Sequence, residues 1–177
     1  MPLPPAEDRT LRAVGARRRA SGHPTSAEVV TTFRDAHPAV EFTLTPAPQL
    51  PQLMIDRDAI KRALVNLLDN AVVATTTYAP NGDKPKIEVR TAYARDARLV
   101  MLEVLDNGPG IDPRLRTRIF EPYFSRRKGG TGLGLAIVSS IVTDHHGFVR
   151  VSDNKPRGSR FTLEFPVKDL QFASQSG

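Results

Sequence analysis

The chain has 177 residues, a formal net charge of +6, 40% hydrophobic and 25% charged residues, and no cysteine. This length suits one domain with a hydrophobic core and is short for two. Without cysteine there is no disulfide and no thiolate chemistry, and without an apolar run of about 18 residues there is no transmembrane helix. We therefore expect one globular cytoplasmic domain; if the parent protein is anchored in the inner membrane, the anchor lies elsewhere.

The excess positive charge lies in two clusters, residues 17–19 and residues 114–128. The second cluster adjoins a glycine-rich segment suited to phosphate. Charge runs are usually solvated faces. We therefore expect no nucleic-acid partner and no membrane contact by this segment.

Three regions follow from composition. Residues 1–25 are rich in proline and arginine, which indicates a leader, a linker or the remnant of a neighbouring helix. Residues 26–168 carry the predicted helices and strands, and residues 169–177 form a polar tail that we expect to be disordered. The first elements of the central region are a helix over 26–36 and a strand over 40–44, before a proline-rich connector.

The next helix has the clearest pattern. Asp56 can cap it, and apolar residues at helical spacing predict that it continues to about residue 75. Strands over 87–93 and 99–105 follow. The second of these is apolar on both faces except at Glu103, so we expect it to be central.

The remaining elements alternate between helix and strand. Asp112 and Pro113 predict the start of a short helix through residue 120, and a longer helix is predicted over 132–146. Strands over 148–152 and 160–165 form a hairpin. The predicted fold class is α+β, a two-layer sandwich with helices on one face of a mixed sheet.

Asn66 and Asn70 are four residues apart and so share one helical face, at the border of the apolar stripe. Their amide oxygens are suitable Mg²⁺ ligands, since this ion takes its remaining ligands from water and substrate phosphates. The simpler alternative is that both amides cap a cleft or bond the backbone.

Asp106 ends the central strand, before Asn107, Gly108, Pro109 and Gly110. A carboxylate held there can accept a hydrogen bond from an exocyclic amine, which would select adenine over guanine. The simpler alternative is a turn, because this string is rich in turn-forming residues. Glycine suits both a turn and a moving hinge.

The segment 130–134 precedes the last long helix and is rich in glycine. Its backbone N–H groups and the helix N-terminus favour an anion. It is neither a dinucleotide fingerprint nor a Walker loop. Phe120, Tyr123 and Phe124 lie between two glycine strings, which predicts that they anchor a lid of about 20 residues.

Together these strings resemble the catalytic ATP-binding domain of bacterial sensor histidine kinases, in the superfamily of gyrase, Hsp90 and MutL. The matching segments are residues 66–71 (N box), 106–110 and 130–135 (glycine boxes), 120–124 (F box) and 158–161 (closing glycine box). The string Phe-Glu-Pro-Tyr-Phe favours the nitrogen-regulation type. The resemblance implies the Bergerat ATP-binding fold with a mobile lid.

The resemblance implies ATP and Mg²⁺ as cofactors and a role for each matching residue. Asn70 would coordinate Mg²⁺, Asn66 would support the metal or its waters, and Arg127 would reach the terminal phosphate. Asp106 would bind the adenine amino group, with Ser159 holding a bridging water. The other implied nucleotide-binding residues are Gly108, Gly110, Ile111, Phe124, Thr131, Gly132, Leu133, Gly134 and Leu135.

The family phosphorylates a histidine on a dimerisation helix. His23 and His37 precede prolines, and His145 and His146 end a predicted helix within the ATP domain, so none fits. The expected enzyme is a protein histidine kinase whose acceptor lies on a separate dimerisation domain and whose indirect partner is a response regulator.

One departure from the family pattern leaves an alternative open. Val73 stands where relatives often carry a charged residue, which motivates a non-catalytic nucleotide-sensing module, a pseudokinase. Asn66 stands where hydrolytic relatives carry a Glu that activates water, so phosphoryl transfer is expected over rapid hydrolysis.

Overall fold

The computed structural model describes residues 18–20, 23–78, 82–125 and 130–168. Its helices are α1 (His23–Ala36), α2 (Arg57–Thr77) and α3 (Gly134–Asp144). Its strands are β1 (Arg18–Ala20), β2 (Glu41–Thr45), β3 (Leu53–Ile55), β4 (Lys86–Ala94), β5 (Leu99–Asp106), β6 (Phe148–Asp153) and β7 (Ser159–Pro166).

The main sheet has five strands in the order β2-β4-β5-β7-β6. The β2–β4 pair is parallel and the other pairs are antiparallel. The sheet is therefore mixed, and β5 is its central strand, as the apolar run predicts. The predicted hairpin is formed by β6 and β7.

One face of this sheet carries the core. Side chains alternate along each strand, and Val89, Val104 and Phe161 lie side by side in register and are buried. The helices contact the sheet at this face. The predicted two-layer sandwich is confirmed.

α2 forms as its sequence indicates. The Asp56 side chain accepts hydrogen bonds from Asp58 N at 3.0 Å and Ala59 N at 3.1 Å, which caps the helix. Its buried stripe repeats at helical spacing. The buried members are Ile60, Ala63, Leu64, Leu67, Leu68, Ala71, Val72 and Thr75.

Two predicted helices in the second half of the chain differ from the structure. The segment 112–120 is not one helix but two short 3₁₀ turns, Pro113–Leu115 and Arg118–Phe120. Asp112 does cap the first turn, but a helix this short has too few bonds to propagate. α3 begins at Gly134 rather than at residue 132, because Gly132 has φ +68°, outside the helical region.

The N-terminal region also differs. α1 begins at His23, three residues before the predicted start, and β1 pairs antiparallel with β3 in a two-stranded sheet that was not predicted. Residues 1–17 and 169–177, most of the predicted leader and all of the predicted tail, lie outside the described residues, so that division stays a prediction.

Candidate nucleotide-binding site

The two amides of α2 face the start of α3. A Cβ built on Gly134 would lie 3.4 Å from Asn66 Oδ1 and 4.0 Å from Asn70 Nδ2. Asn66 Nδ2 donates to the Arg62 carbonyl at 3.1 Å, and the Asn66 Oδ1 atom faces Gly134. The absence of a side chain at Gly134 therefore leaves backbone open beside both amides.

A cleft of about 390 Å³ opens at this contact. It brings together nine of the residues predicted to bind nucleotide: Asn66, Asn70, Gly110, Ile111, Phe124, Thr131, Gly132, Gly134 and Leu135. Its lining also includes Gly130 of the glycine-rich segment and five residues that no sequence pattern assigned a binding role: Asp69, Asp112, Leu115, Ile119 and Ser125. Leu115 and Ile119 belong to the two short turns within the predicted lid, where an apolar side chain carries no distinctive signal.

Asp106 lies beside this cleft rather than in its lining, and so do Gly108, Leu133 and Ser159. The Asp106 side chain is 3% exposed. Its Oδ1 accepts from Gly108 N at 2.8 Å and from Ser159 N at 3.2 Å. A Cβ on Gly108 would lie 2.9 Å from that oxygen and 3.1 Å from Ala74 Cβ, so Asp106 is close to α2, one turn beyond Asn70.

Burial raises the pKa of the Asp106 carboxyl, and the bonds from Gly108 and Ser159 lower it by less. A carboxylate oxygen is an acceptor only. A buried carboxylate that already accepts backbone donors is well suited to a further donor such as an amine.

The turn between β6 and β7 holds the backbone at Asp106 and Asn107 by side-chain hydrogen bonds. Asn154 Nδ2 donates to the Asp106 carbonyl at 2.9 Å. Arg157 Nε donates to the Asn107 carbonyl at 3.0 Å, and its guanidinium lies 5.6 Å from the centre of the Tyr78 ring. Sequence reasoning missed Asn154 and Arg157 because their partners are about 50 residues away and no local pattern marks them.

Two glycines have conformations that their roles require. Gly110 has φ +81°, a backbone region that favours glycine. Gly132 has φ +68°, and its carbonyl accepts from Tyr123 N at 2.9 Å. A Cβ on Gly132 would lie 2.6 Å from the Tyr123 backbone. Tyr123 of the predicted lid is therefore held against the glycine segment that precedes α3.

Within the predicted lid, Phe124 lines the cleft, and the Arg118 guanidinium lies 4.8 Å from the centre of its ring. Thr131 Oγ1 accepts from Leu133 N at 3.4 Å. Arg127 lies outside the described residues, and its contact with the terminal phosphate stays a prediction.

The residues present fit a magnesium nucleotide. Two neutral amides stand beside the open backbone of Gly134, which suits an ion that draws its other ligands from phosphates and water. Among the described residues, no helix is long and apolar enough to span a membrane.

Comparison with curated proteins finds relatives among sensor kinases. The sensory histidine kinase/phosphatase NtrB of Vibrio alginolyticus is 34% identical over 128 residues, which cover 68% of this chain and 35% of NtrB. NtrY of Azorhizobium caulinodans is 34% identical over 80% of this chain and 18% of its own length. This chain thus spans about a third or less of these relatives.

Comparison with solved structures also finds histidine kinases. The catalytic domain of histidine kinase ThkA has a TM-score of 0.72 and 29% identity, covering 84% of this chain and 94% of that domain. Full-length ShkA in complex with AMPPNP has a TM-score of 0.71 and 28% identity, covering 84% of this chain and 30% of ShkA. ThkA in complex with the response regulator TrrA has a TM-score of 0.69 and 27% identity, covering 85% of this chain and 42% of that one.

A family profile matches residues 55–169, from the end of β3 to just beyond β7. This match contains both amides, Asp106 and the glycine segments. The chain therefore belongs to the family of histidine kinase-, DNA gyrase B- and HSP90-like ATPases.

Proposed function

We propose that this chain is the ATP·Mg²⁺-binding catalytic domain of a two-component sensor histidine kinase, which transfers the γ-phosphate of ATP to a histidine on a separate dimerisation domain. One observation carries the proposal. The face of α2 that presents Asn66 and Asn70 to Gly134 continues to Ala74, which abuts the Gly108 turn beside the buried Asp106. One face of α2 thus runs from the phosphate site at Asn66 and Asn70 to the amine acceptor Asp106 at the end of β5.

The adenine end is formed by Asp106. Its carboxylate accepts the exocyclic amine of the base, with Ser159 holding a bridging water. Ile111 and Leu135 line the adjacent cleft and supply apolar contact. Guanine has a carbonyl at this position, so its acceptor would face another acceptor.

The phosphate end is formed by α2, α3 and the glycine segment. Asn70 would hold Mg²⁺, and Asn66 would support the ion or its waters. When bound, the ion neutralises phosphate charge and orients the γ-phosphoryl group. Gly132 and Gly134 let backbone N–H groups approach the phosphates. An amide at position 66 is a poor base for water, which favours transfer to a protein side chain over hydrolysis.

The acceptor histidine is placed outside this chain. His145 is 9% exposed and both its ring nitrogens are bonded, so it is unavailable for phosphorylation. The AMPPNP bound to ShkA and the response regulator bound to ThkA support nucleotide binding here and an indirect response-regulator partner. Apart from Val73, which motivates the pseudokinase alternative, no described residue favours it. We place the domain in the cytoplasm.

Calorimetry and phosphotransfer test the proposal. ATP should bind more tightly with Mg²⁺ than without, and Asn70→Ala should reduce that difference about tenfold while adenosine affinity stays unchanged. Thr76→Ala, at an exposed position later on α2, is the matched control. When the chain is mixed with ATP and the dimerisation domain of its whole kinase, that domain should acquire acid-labile phosphohistidine. Acceptor-independent phosphate release at an equal rate would instead support a hydrolase.

A further inference from the structure

α2 and α3 are antiparallel, and each end of α3 contacts α2. At one end Gly134, the first residue of α3, lies against Asn66 and Asn70. At the other end His145, directly after α3, contacts Asp56, the N-cap residue of α2. About ten helical residues, or roughly 15 Å, separate the two contacts along either helix.

The hydrogen bonds of His145 define its tautomer. Asp56 N donates to Nε2 at 3.0 Å, and Nδ1 lies 2.7 Å from the Ile141 carbonyl oxygen. A backbone N–H can only donate and a carbonyl can only accept, so the proton is on Nδ1 and the lone pair is on Nε2. The ring also packs edge-on against Phe165, with centroids 6.2 Å apart.

The contact fixes the cap of α2 from both sides. The Asp56 carboxylate accepts from the first turn of its own helix, while its backbone N–H is bonded to His145. A helix transmits an axial displacement along its length with little change. The position of Asp56 relative to α3 is therefore coupled to where Asn66 and Asn70 stand relative to Gly134.

We propose that His145 is a positioning residue for the phosphate end of the nucleotide site: by binding the N-cap of α2 it sets the axial register between the two amides and Gly134. This inference rests on the proposed function. The adenine end should be insensitive to His145, because Asp106 is held by Gly108, Asn154 and Ser159, none of them on α3.

Two variants separate the polar contact from packing. His145→Phe keeps an aromatic ring but leaves Asp56 N–H without its acceptor. His145→Gln can place an amide oxygen near the position of Nε2. Val30→Ala, at a 1% exposed site on α1, is the control for lost stability alone. Each full-length variant is titrated with adenosine and with ATP·Mg²⁺.

We expect His145→Phe to weaken ATP·Mg²⁺ on the order of tenfold, as small misplacements at phosphate sites do, with adenosine affinity within about twofold of the parent. His145→Gln should restore most of the ATP·Mg²⁺ affinity. An equal loss for adenosine and ATP·Mg²⁺, or the same selective loss in Val30→Ala, would overturn the proposal.

NMR of the nucleotide-free chain tests the positioning role of His145 independently of the proposed function. The ¹⁵N shifts of His145 should show a protonated Nδ1 and an unprotonated Nε2, and His145→Phe should move the Gly134 amide and the Asn66 and Asn70 side-chain amide signals. Unmoved signals would overturn the inference. If the unsubstituted chain binds no nucleotide but His145→Phe still moves these signals, the proposed function fails and the positioning role stands.

Discussion

Gly158 packs so closely on Asp106 that a Cβ added to it would lie 1.8 Å from the Asp106 carbonyl oxygen. Gly158 also has φ +114°, which side-chain-bearing residues rarely adopt. The glycine therefore lets the β6–β7 turn close over the end of β5, where Ser159 N reaches the Asp106 carboxylate.

Gly158→Ala should cost about 3 kcal/mol or more of unfolding free energy, because backbone must move on both sides of the contact. Urea unfolding measures the loss. Gly82→Ala is the matched control: Gly82 has φ +74° but no atom within 4 Å of an added Cβ, so only about 1 kcal/mol is expected. Equal losses at the two sites would show that the positive φ, and not the contact with Asp106, accounts for the cost of replacing Gly158.

Asp106→Asn should abolish adenine recognition without unfolding the domain. The Asn side-chain oxygen can still accept from Gly108 N and Ser159 N, as Asp106 Oδ1 does at 2.8 and 3.2 Å. Its amide group, however, presents a donor to the exocyclic amine. ATP affinity should fall at least about tenfold with the melting temperature unchanged or raised. A variant that binds ATP as tightly as the parent contradicts the adenine role.

The pH dependence of stability follows from the raised pKa of Asp106. Because burial raises this pKa above its unfolded value, the folded state holds the proton more tightly. The resulting stability is fully present below the unfolded pKa of about 3.9 and is lost as pH rises through the folded pKa. Urea titrations of the parent and Asp106→Asn should therefore show the parent losing stability relative to the variant over that window. A difference that is constant with pH would show that Asp106 has no raised pKa.

Nucleotide affinity should rise with pH over the same range in which stability falls. The carboxylate must be ionised to accept the adenine amine with both oxygens available, so affinity should weaken as pH falls through the raised pKa of Asp106. Adenosine is the suitable ligand for this titration, since it has no phosphate that titrates. An affinity independent of pH would place adenine recognition elsewhere.

Arg157→Met should weaken nucleotide binding about threefold to tenfold, because the guanidinium hydrogen-bonds the Asn107 carbonyl while lying over Tyr78. Its pairing with Asp83, whose side chain is 55% exposed, should contribute little. Arg150→Met is the control, since Arg150 pairs with Glu164 away from the cleft. Both variants are compared by ATP calorimetry and thermal unfolding. Equal affinities would show that Arg157 does not support the Asp106 turn.

Local patterns allowed much of this domain to be predicted. α2 follows from a capping Asp56 and a 3.6-residue apolar repeat, and the central place of β5 follows from an apolar run on both faces. Of the nine predicted residues that line the cleft, the amides and glycines stand out by local pattern, whereas Ile111 and Leu135 were predicted only from the resemblance to the kinase ATP-binding domain. Each of these signals lies within a few residues.

The tertiary structure alone decided how distant segments meet. The Ser159–Asp106 bond joins residues 53 apart, and the Asp56–His145 bond joins residues 89 apart. No periodicity or capping rule specifies such pairs, because they depend on how the β6–β7 turn and α3 pack against the rest of the domain. For the same reason local patterns could predict which residues form a nucleotide site, whereas the packing of α2 on α3 decided how Asn66 and Asn70 face Gly134.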